Sequence, residues 1–232
     1  MTVIAVPEPL VDQAVDQLRQ DLLSGVHGPG TKLKVDMLRA QYGYSSSPLR
    51  EALNRLTQEG LVAVDQRRGF RVAGMSAEDF ADITRLRLFV DLQALEEAME
   101  HGDDEWEVRS VAAFHRLQKV EARFPEGPLV LNAEWSARHK EFHMALLSGT
   151  PSPRLMGICS NLFDQAERYR RYSAKYRSQT RSKSDEHKAI LEATMQRDKP
   201  EAIRLLTAHI SRTQTNIADL FEQGVLLESN AI

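Results

Sequence analysis

His139 and His143 stand four residues apart in "ARHKEFHMAL", a stretch whose apolar residues recur with helical spacing. Two imidazoles one turn apart lie on one helix face and can grip one metal ion. The chain holds 7 histidines, the others being His27, His101, His115, His187 and His209. His27 and His101 lie beside glycines at expected element ends, and His115 is alone on its helix, so these three read as surface or capping residues. His187 and His209 each fall on one of the last two expected helices. Three inward-facing helices carrying these four imidazoles could enclose one divalent ion. Helical i, i+4 histidine pairs also occur without function, so spacing alone leaves both readings open.

A hydrolytic metal site needs more than ligands. Zinc proteases use H-E-x-x-H, in which the glutamate after the first histidine serves as base. Here the order is "HKEFH", and Glu141 is shifted by one residue, about 100° round the helix. That rotation turns the carboxylate away from a metal-bound water. Neither a Gly-rich phosphate loop nor a G-x-S-x-G elbow is present. The expectation is therefore not an enzyme, with a metal-dependent hydrolase carrying a nucleic-acid-binding domain as the alternative.

The elements that must position these residues belong to an ordinary globular chain: 232 residues, 42% hydrophobic and 27% charged. The single cysteine, Cys159, excludes an internal disulfide framework and a Cys-rich zinc module. No apolar run approaches the roughly 18 residues of a membrane span. The N-terminus "MTVIAVPEPL" has no basic region before its short apolar run, so a cytoplasmic location is expected. The net charge of −3 hides an asymmetry. Residues 32–71 carry Lys32, Lys34, Arg39, Arg50, Arg55, Arg67, Arg68 and Arg71 against only Asp36, Glu51, Glu59 and Asp65. A basic island in an acidic protein suggests a local polyanion contact.

That island has an organisation of its own. "PLVDQAVDQLRQDLLSG" places Leu10, Ala14, Leu18 and Leu22 on one helical stripe and stops at Gly25. "HGPGTKL" reads as a turn, and "VDMLRAQYG" as two helical turns ending at Gly43. "SSSPLREALNRLTQEG" reads as a third helix with Ser47 as N-cap and Pro48 at its first position, closing on Gly60. Its buried stripe is Leu49, Leu53 and Leu56, which leaves Arg50, Asn54 and the serines outward. "LVAV" and "FRVA", joined by "DQRRG", form a small hairpin. Three helices and a basic-tipped hairpin describe a winged helix-turn-helix, whose third helix can enter the major groove while Arg67 and Arg68 reach the backbone or the minor groove.

"GPGTKL … LRAQYGYSSSPLREALNRLTQEGLVAVDQRRGFRV" closely resembles the DNA-binding domain of GntR-type bacterial transcription regulators over about sixty residues, wing glycine Gly69 included. The resemblance implies a contact set of Lys34, Ser45, Ser46, Ser47, Arg50, Asn54, Arg67, Arg68 and Gly69. Arg50 matches the arginine of the family's P-x-R-E-A-L pattern, which implies a DNA contact, most simply to phosphate. Ser46 stands where the family usually has a guanine-reading arginine, so the operator sequence does not carry over.

From "MSAEDFADI" onward the chain reads as helices over 76–101, 103–123, 129–148, 153–177, 183–197 and 199–223, broken by "HGDDEW", "RFPEGP", "SGTPSP" and "RDKP". The expected fold class is mainly α, with a winged helix-turn-helix over 1–74 and an all-helical antiparallel bundle over 75–232. "RLFVD", "HKEFH" and "EHKAILEATMQRDKPEAIRLLTAHI" resemble the FCD effector domain of the FadR subfamily. There an aspartate and three histidines hold a metal ion. Carried over, His143, His187 and His209 are the retained ligands, and His139 takes the aspartate's place. Exchanging an anionic oxygen for a neutral nitrogen leaves the site one charge more positive and favours Zn²⁺, or Ni²⁺, over Mn²⁺. Arg87, in the family's R-x-x-x-E position, is the first candidate to grip an effector carboxylate, with Arg168 and Arg170 of "ERYRR" behind it, at least one of these two facing solvent. "DEWE", "RHKEFH" and "ERYRR" are similar to the carbon-starvation-induced regulators of glutarate and γ-aminobutyrate breakdown. The resemblance implies a homodimeric repressor that binds a palindromic operator in double-stranded DNA. It implies control by a small organic acid, such as the dicarboxylate glutarate, with no membrane partner.

Overall fold

The computed structural model describes residues 9–65, 69–123, 132–174 and 183–226. They divide into two compact units, one running to Met75 and one starting at Ser76.

The first unit holds α1 (Leu10–Ser24), β1 (Lys32–Leu33), α2 (Val35–Tyr42), α3 (Ser46–Gln58), β2 (Val62–Asp65) and β3 (Gly69–Val72). α1 stops where expected: Gly25 takes a left-handed φ of 75° and its N–H returns to the Asp21 and Leu22 carbonyls. The stripe that buries α1 is Ala14, Val15, Leu18 and Leu22, whereas Leu10 at the first position is 60% exposed. α3 buries Leu49, Ala52, Leu53 and Leu56. It starts earlier than the serine–proline signal suggests. Ser45, not Ser47, is the N-cap, and its side chain makes no capping bond, so Pro48 sits in the third helical position. Proline is tolerated there because the first turn's N–H groups have no intrahelical partner. The hairpin pairs Val62 with Val72 and Asp65 with Gly69. Part of the expected "HGPGTKL" turn is a third strand: Lys32 pairs with Arg71 and Leu33 with Phe70, placing β3 between β1 and β2. Two residues are too few for an alternation signal, so only the pairing reveals them. Leu18, Leu33, Leu38, Leu53, Leu56, Phe70 and Val72 form one core.

The second unit is helical: α4 (Ala77–His101), α5 (Asp104–Glu121), α6 (Ala133–Leu147), α7 (Pro153–Ala174), α8 (Lys183–Met195) and α9 (Lys199–Glu222). Among the described residues five of its N-termini are capped by side chains, α7 by Ser152, which accepts from the Leu155 N–H at 3.2 Å. In the other four, Ser76, Asp103, Asn132 and Asp198 accept from the backbone N–H groups of Asp79, Trp106, Trp135 and Glu201. The expected start at 129 and end at 177 lie outside the described residues. α4 packs on α7 and α9, α5 on α6 and α8, and α8 on α9. Trp106, Trp135, Phe142, Leu95, Leu117 and Leu206 are at the centre of this core. Trp106 adds a polar tie, its Nε1 donating to the Ala145 and Leu146 carbonyls at 3.1 Å each. No helix among the described residues is long and apolar enough to cross a membrane.

Candidate metal centre and nucleic-acid interface

α6 carries His139 and His143 on its inward face, one turn apart, with their Nε2 atoms 3.1 Å from each other. α8 brings His187 and α9 brings His209, and one nitrogen from each of the four lies within 4.8 Å of the others. All four side chains are buried. Trp135, one turn before His139, stacks on its ring at 4.4 Å and 18°, which fixes the plane of the imidazole. Phe142 and Phe163 close the remaining sides.

Carboxylates stand behind the histidines. Glu186 Oε2 is 3.0 Å from His209 Nδ1, and the other Glu186 oxygen accepts from Arg212. Glu121 Oε1 is 3.8 Å from His187 Nδ1 and accepts from Trp135 Nε1 at 3.2 Å. The Glu186 contact selects the His209 tautomer that leaves Nε2 unprotonated, which is how ligating imidazoles are oriented. At 3.8 Å, Glu121 is too far to do the same for His187 by a direct hydrogen bond. Burial pushes the His143 imidazole well below its ordinary value, and His209, His187, Arg87 and Arg170 add like-charge repulsion. A neutral imidazole with an available lone pair is the form a metal ion binds. The dimensions also fit. Four nitrogens at the roughly 2.0–2.1 Å of zinc–imidazole bonds stand about 3.4 Å apart in a tetrahedron, and these four are gathered within 4.8 Å before any ion draws them in.

Glu141 is not part of this centre. Burial pushes its carboxyl up, but Arg138 at 2.7 Å and Arg116 at 2.8 Å outweigh that and hold it below the usual carboxylate range. It is occupied on the outer face of α6.

The three arginines separate. Arg87 is buried and donates from Nε and Nη2 to Asp91 Oδ2 at 3.0 and 2.8 Å. Arg170 is buried too, bonded to Glu167 Oε2 at 2.7 Å and stacked 4.3 Å above the Phe163 ring. Arg168 is likewise buried, at 6% exposure, so the expectation that Arg168 or Arg170 faces solvent is wrong. Burial lowers the Arg168 guanidinium, and the carboxylate that opposes this is Asp79 on α4. Arg170 can be inside because Glu167 stands one turn before it on the same helix, and Arg168 has the Asp79 carboxylate of α4 nearby, which helical periodicity does not reveal. The structure thus brings Arg87 and Arg170 toward the histidines and sets Arg168 apart from them. Sequence reasoning missed Glu121, Glu186, Glu167 and Phe163. The signals available were Glu186 directly before His187 and Glu167 three residues before Arg170.

In the first unit the expected contact residues share a surface character. Lys34, Ser45, Ser47, Arg50, Asn54 and Gly69 are exposed, and Ser46 is half-buried. Arg50 makes no ion pair among the described residues, whereas Arg55 is held by Asp12 and Glu51 at 2.7 Å each. Gly69 has a φ of 89°, a left-handed conformation that a side chain there would strain. Arg67 and Arg68 lie outside the described residues.

Residues 10–72 match the bacterial regulatory proteins of the gntR family, and residues 82–212 match the FCD domain. The chain is a GntR-family transcription regulator with an FCD domain. It is 33% identical over 223 residues to the HTH-type transcriptional regulator BphR of Paraburkholderia xenovorans, covering 96% of this chain and 90% of that one. It is 34% identical over 197 residues to the HTH-type transcriptional repressor GlaR of Escherichia coli, covering 83% of this chain and 89% of that one. The solved structure of McbR/YncC from E. coli has the same fold, with a TM-score of 0.76 over 94% of this regulator and 100% of that chain at 24% identity. Regulators of this kind bind DNA and, through the FCD domain, small-molecule effectors; they are not enzymes.

Proposed function

We propose that the regulator is a cytoplasmic homodimeric repressor whose hold on a palindromic operator is set by a small organic acid bound beside a metal ion. The reading assigns DNA to residues 1–74 and the effector to residues 75–232. The observation that carries it is the convergence of His139, His143, His187 and His209 in a buried cluster backed by carboxylates.

These four imidazoles would hold one divalent ion, zinc first and nickel second, since all-nitrogen donors suit both. When bound, the ion supplies the positive charge that attracts an effector carboxylate. Glu186 orients His209, and Glu121 places a negative charge 3.8 Å behind His187. Arg87 and Arg170, both over the Phe163 ring, give the effector's far end its polar contacts. In the head, α3 presents Ser46, Ser47, Arg50 and Asn54 to the major groove, as a helix-turn-helix does. Effector binding biases how two such heads are spaced, and half-sites about one helical turn apart report that spacing as affinity. The repressor assignment draws on two relatives named as repressors, GlaR and the gluconate operon transcriptional repressor of Bacillus subtilis.

The test combines elemental analysis with DNA binding to a site selected from a random pool. About one divalent ion per chain and release of the selected DNA by a small carboxylate support the reading. Metal-free protein that was never exposed to chelator removes the centre. DNA binding indifferent to every carboxylate reduces the histidines to a structural cluster.

A further inference from the structure

Two ion pairs are buried side by side where α4 meets α7. Arg87 and Asp91 stand one turn apart on α4, with side chains 6% and 2% exposed. Cys159, Phe163, Glu167 and Arg170 follow one stripe of α7, and Arg170 and Glu167 are 6% and 3% exposed at their side chains. The Arg87 and Arg170 guanidinium carbons are 5.2 and 4.3 Å from the Phe163 ring centroid. That same ring lies 5.4 and 5.5 Å from the rings of His139 and His143. A wall of two guanidiniums and two carboxylates, formally neutral, therefore adjoins the histidine cluster.

Each carboxylate spends only one oxygen on its arginine. Asp91 Oδ1 and Glu167 Oε1 are buried with no hydrogen-bond partner among the described residues. The Cys159 thiol beside Asp91, pushed up to about 12 by burial and by that carboxylate, keeps its proton but is a weak donor. A buried charged acceptor without a donor is costly, and such groups in a folded protein point to a missing partner.

From these two acceptors we infer that the effector is a hydroxy acid, a small carboxylate whose hydroxyl hydrogens bond Asp91 Oδ1 or Glu167 Oε1, and not a plain dicarboxylate. The inference rests on the effector reading above and narrows it. A second carboxylate has no hydrogen to donate, and it meets Asp91 and Glu167 as closely as it meets Arg87 and Arg170, so the neutral wall offers it little net attraction. A hydroxyl suits a mixed wall, since it donates to the carboxylate and accepts from the guanidinium. An ammonium also donates, but the neutral wall offers it little net attraction as well, and it would stand beside the positive ion held by the histidines.

Calorimetry on the full metal-loaded chain with butyrate, 4-hydroxybutyrate, glutarate and 2-hydroxyglutarate tests this. At least one hydroxylated acid should bind at least about tenfold more tightly than its parent, because sites with buried polar groups reject analogues that leave them unpaired. Glu167→Gln should bring that ratio down, and if this variant does not fold the wild-type ratios alone decide. If neither hydroxylated acid gains over its parent while the parents bind, the inference fails and the effector reading stands. Silence from all four acids removes the effector reading, and the inference with it.

Discussion

The head and the bundle use charge in opposite ways. In the head, Lys34, Arg50 and Asn54 are exposed, and Arg50 is left without an ion pair among the described residues. In the bundle, Arg87, Arg168, Arg170 and four histidines are buried, and Arg87 and Arg170 are matched to carboxylates on their own helices. A charge kept in water is screened and acts through sums over many contacts. A charge kept in the core interacts strongly and costs dearly when its partner is removed. The head is therefore built to tolerate single changes, and the bundle is not.

The largest effect should come from the histidines. His187→Ala or His209→Ala should take metal content from about one ion per chain to near none, and the melting temperature should drop with it, since metal binding to the folded state is folding free energy. Elemental analysis and a melting curve on the same preparation decide it; full metal retention in both variants would break the contrast with the head.

Next comes the Arg170–Glu167 pair. Glu167→Leu strands a buried guanidinium and should cost about 3–5 kcal/mol in urea unfolding, whereas Glu167→Leu with Arg170→Met should recover most of it. A single-variant loss no larger than that of an exposed pair would show that water reaches this part of the core.

A smaller effect is the pH dependence of chelator-treated protein. Burial depresses His143 in the fold. Below the unfolded value of about 6.5, the unfolded chain takes up a proton that the folded bundle refuses. Stability from this group is therefore full above about pH 6.5 and falls as pH drops, by at most about 1.4 kcal/mol per pH unit. The slope between pH 5 and pH 7 should be shallower in His143→Gln, and equal slopes would mean that the imidazole is not desolvated.

The smallest effect belongs to the head. Arg50→Ala should weaken specific and nonspecific DNA binding by similar factors and flatten the salt dependence by roughly 0.9 in the log–log slope. Fluorescence anisotropy at several salt concentrations measures both; an unchanged slope would remove Arg50 as a phosphate contact. Ser46→Arg should instead alter base preference.

Much of the architecture was legible in the residue order. Gly25 and Gly43 end helices where they were expected to, and the spacing of Leu49, Leu53 and Leu56 placed the inner face of α3. Asp103 and Asp198 begin α5 and α9 with side chains that bond their first turns. These are local signals, carried by residues within one or two turns of each other. The start of α3 was misplaced because Ser45, Ser46 and Ser47 all have the side chain of an N-cap, and only backbone geometry chooses among them.

By itself the sequence determined the periodicities, the stops and the four imidazoles on three helices, because each depends on spacing along one chain segment. The tertiary structure decided which groups those segments meet. It set Glu186 of α8 against His209 of α9, stacked Arg87 of α4 and Arg170 of α7 on the same phenyl ring, and drew both Arg168 and Arg170 inside. A charged side chain enters a core only where another group offsets its desolvation. For Arg168 the nearby carboxylate is Asp79, on a different helix and about ninety residues away in the chain, beyond the reach of any helical period.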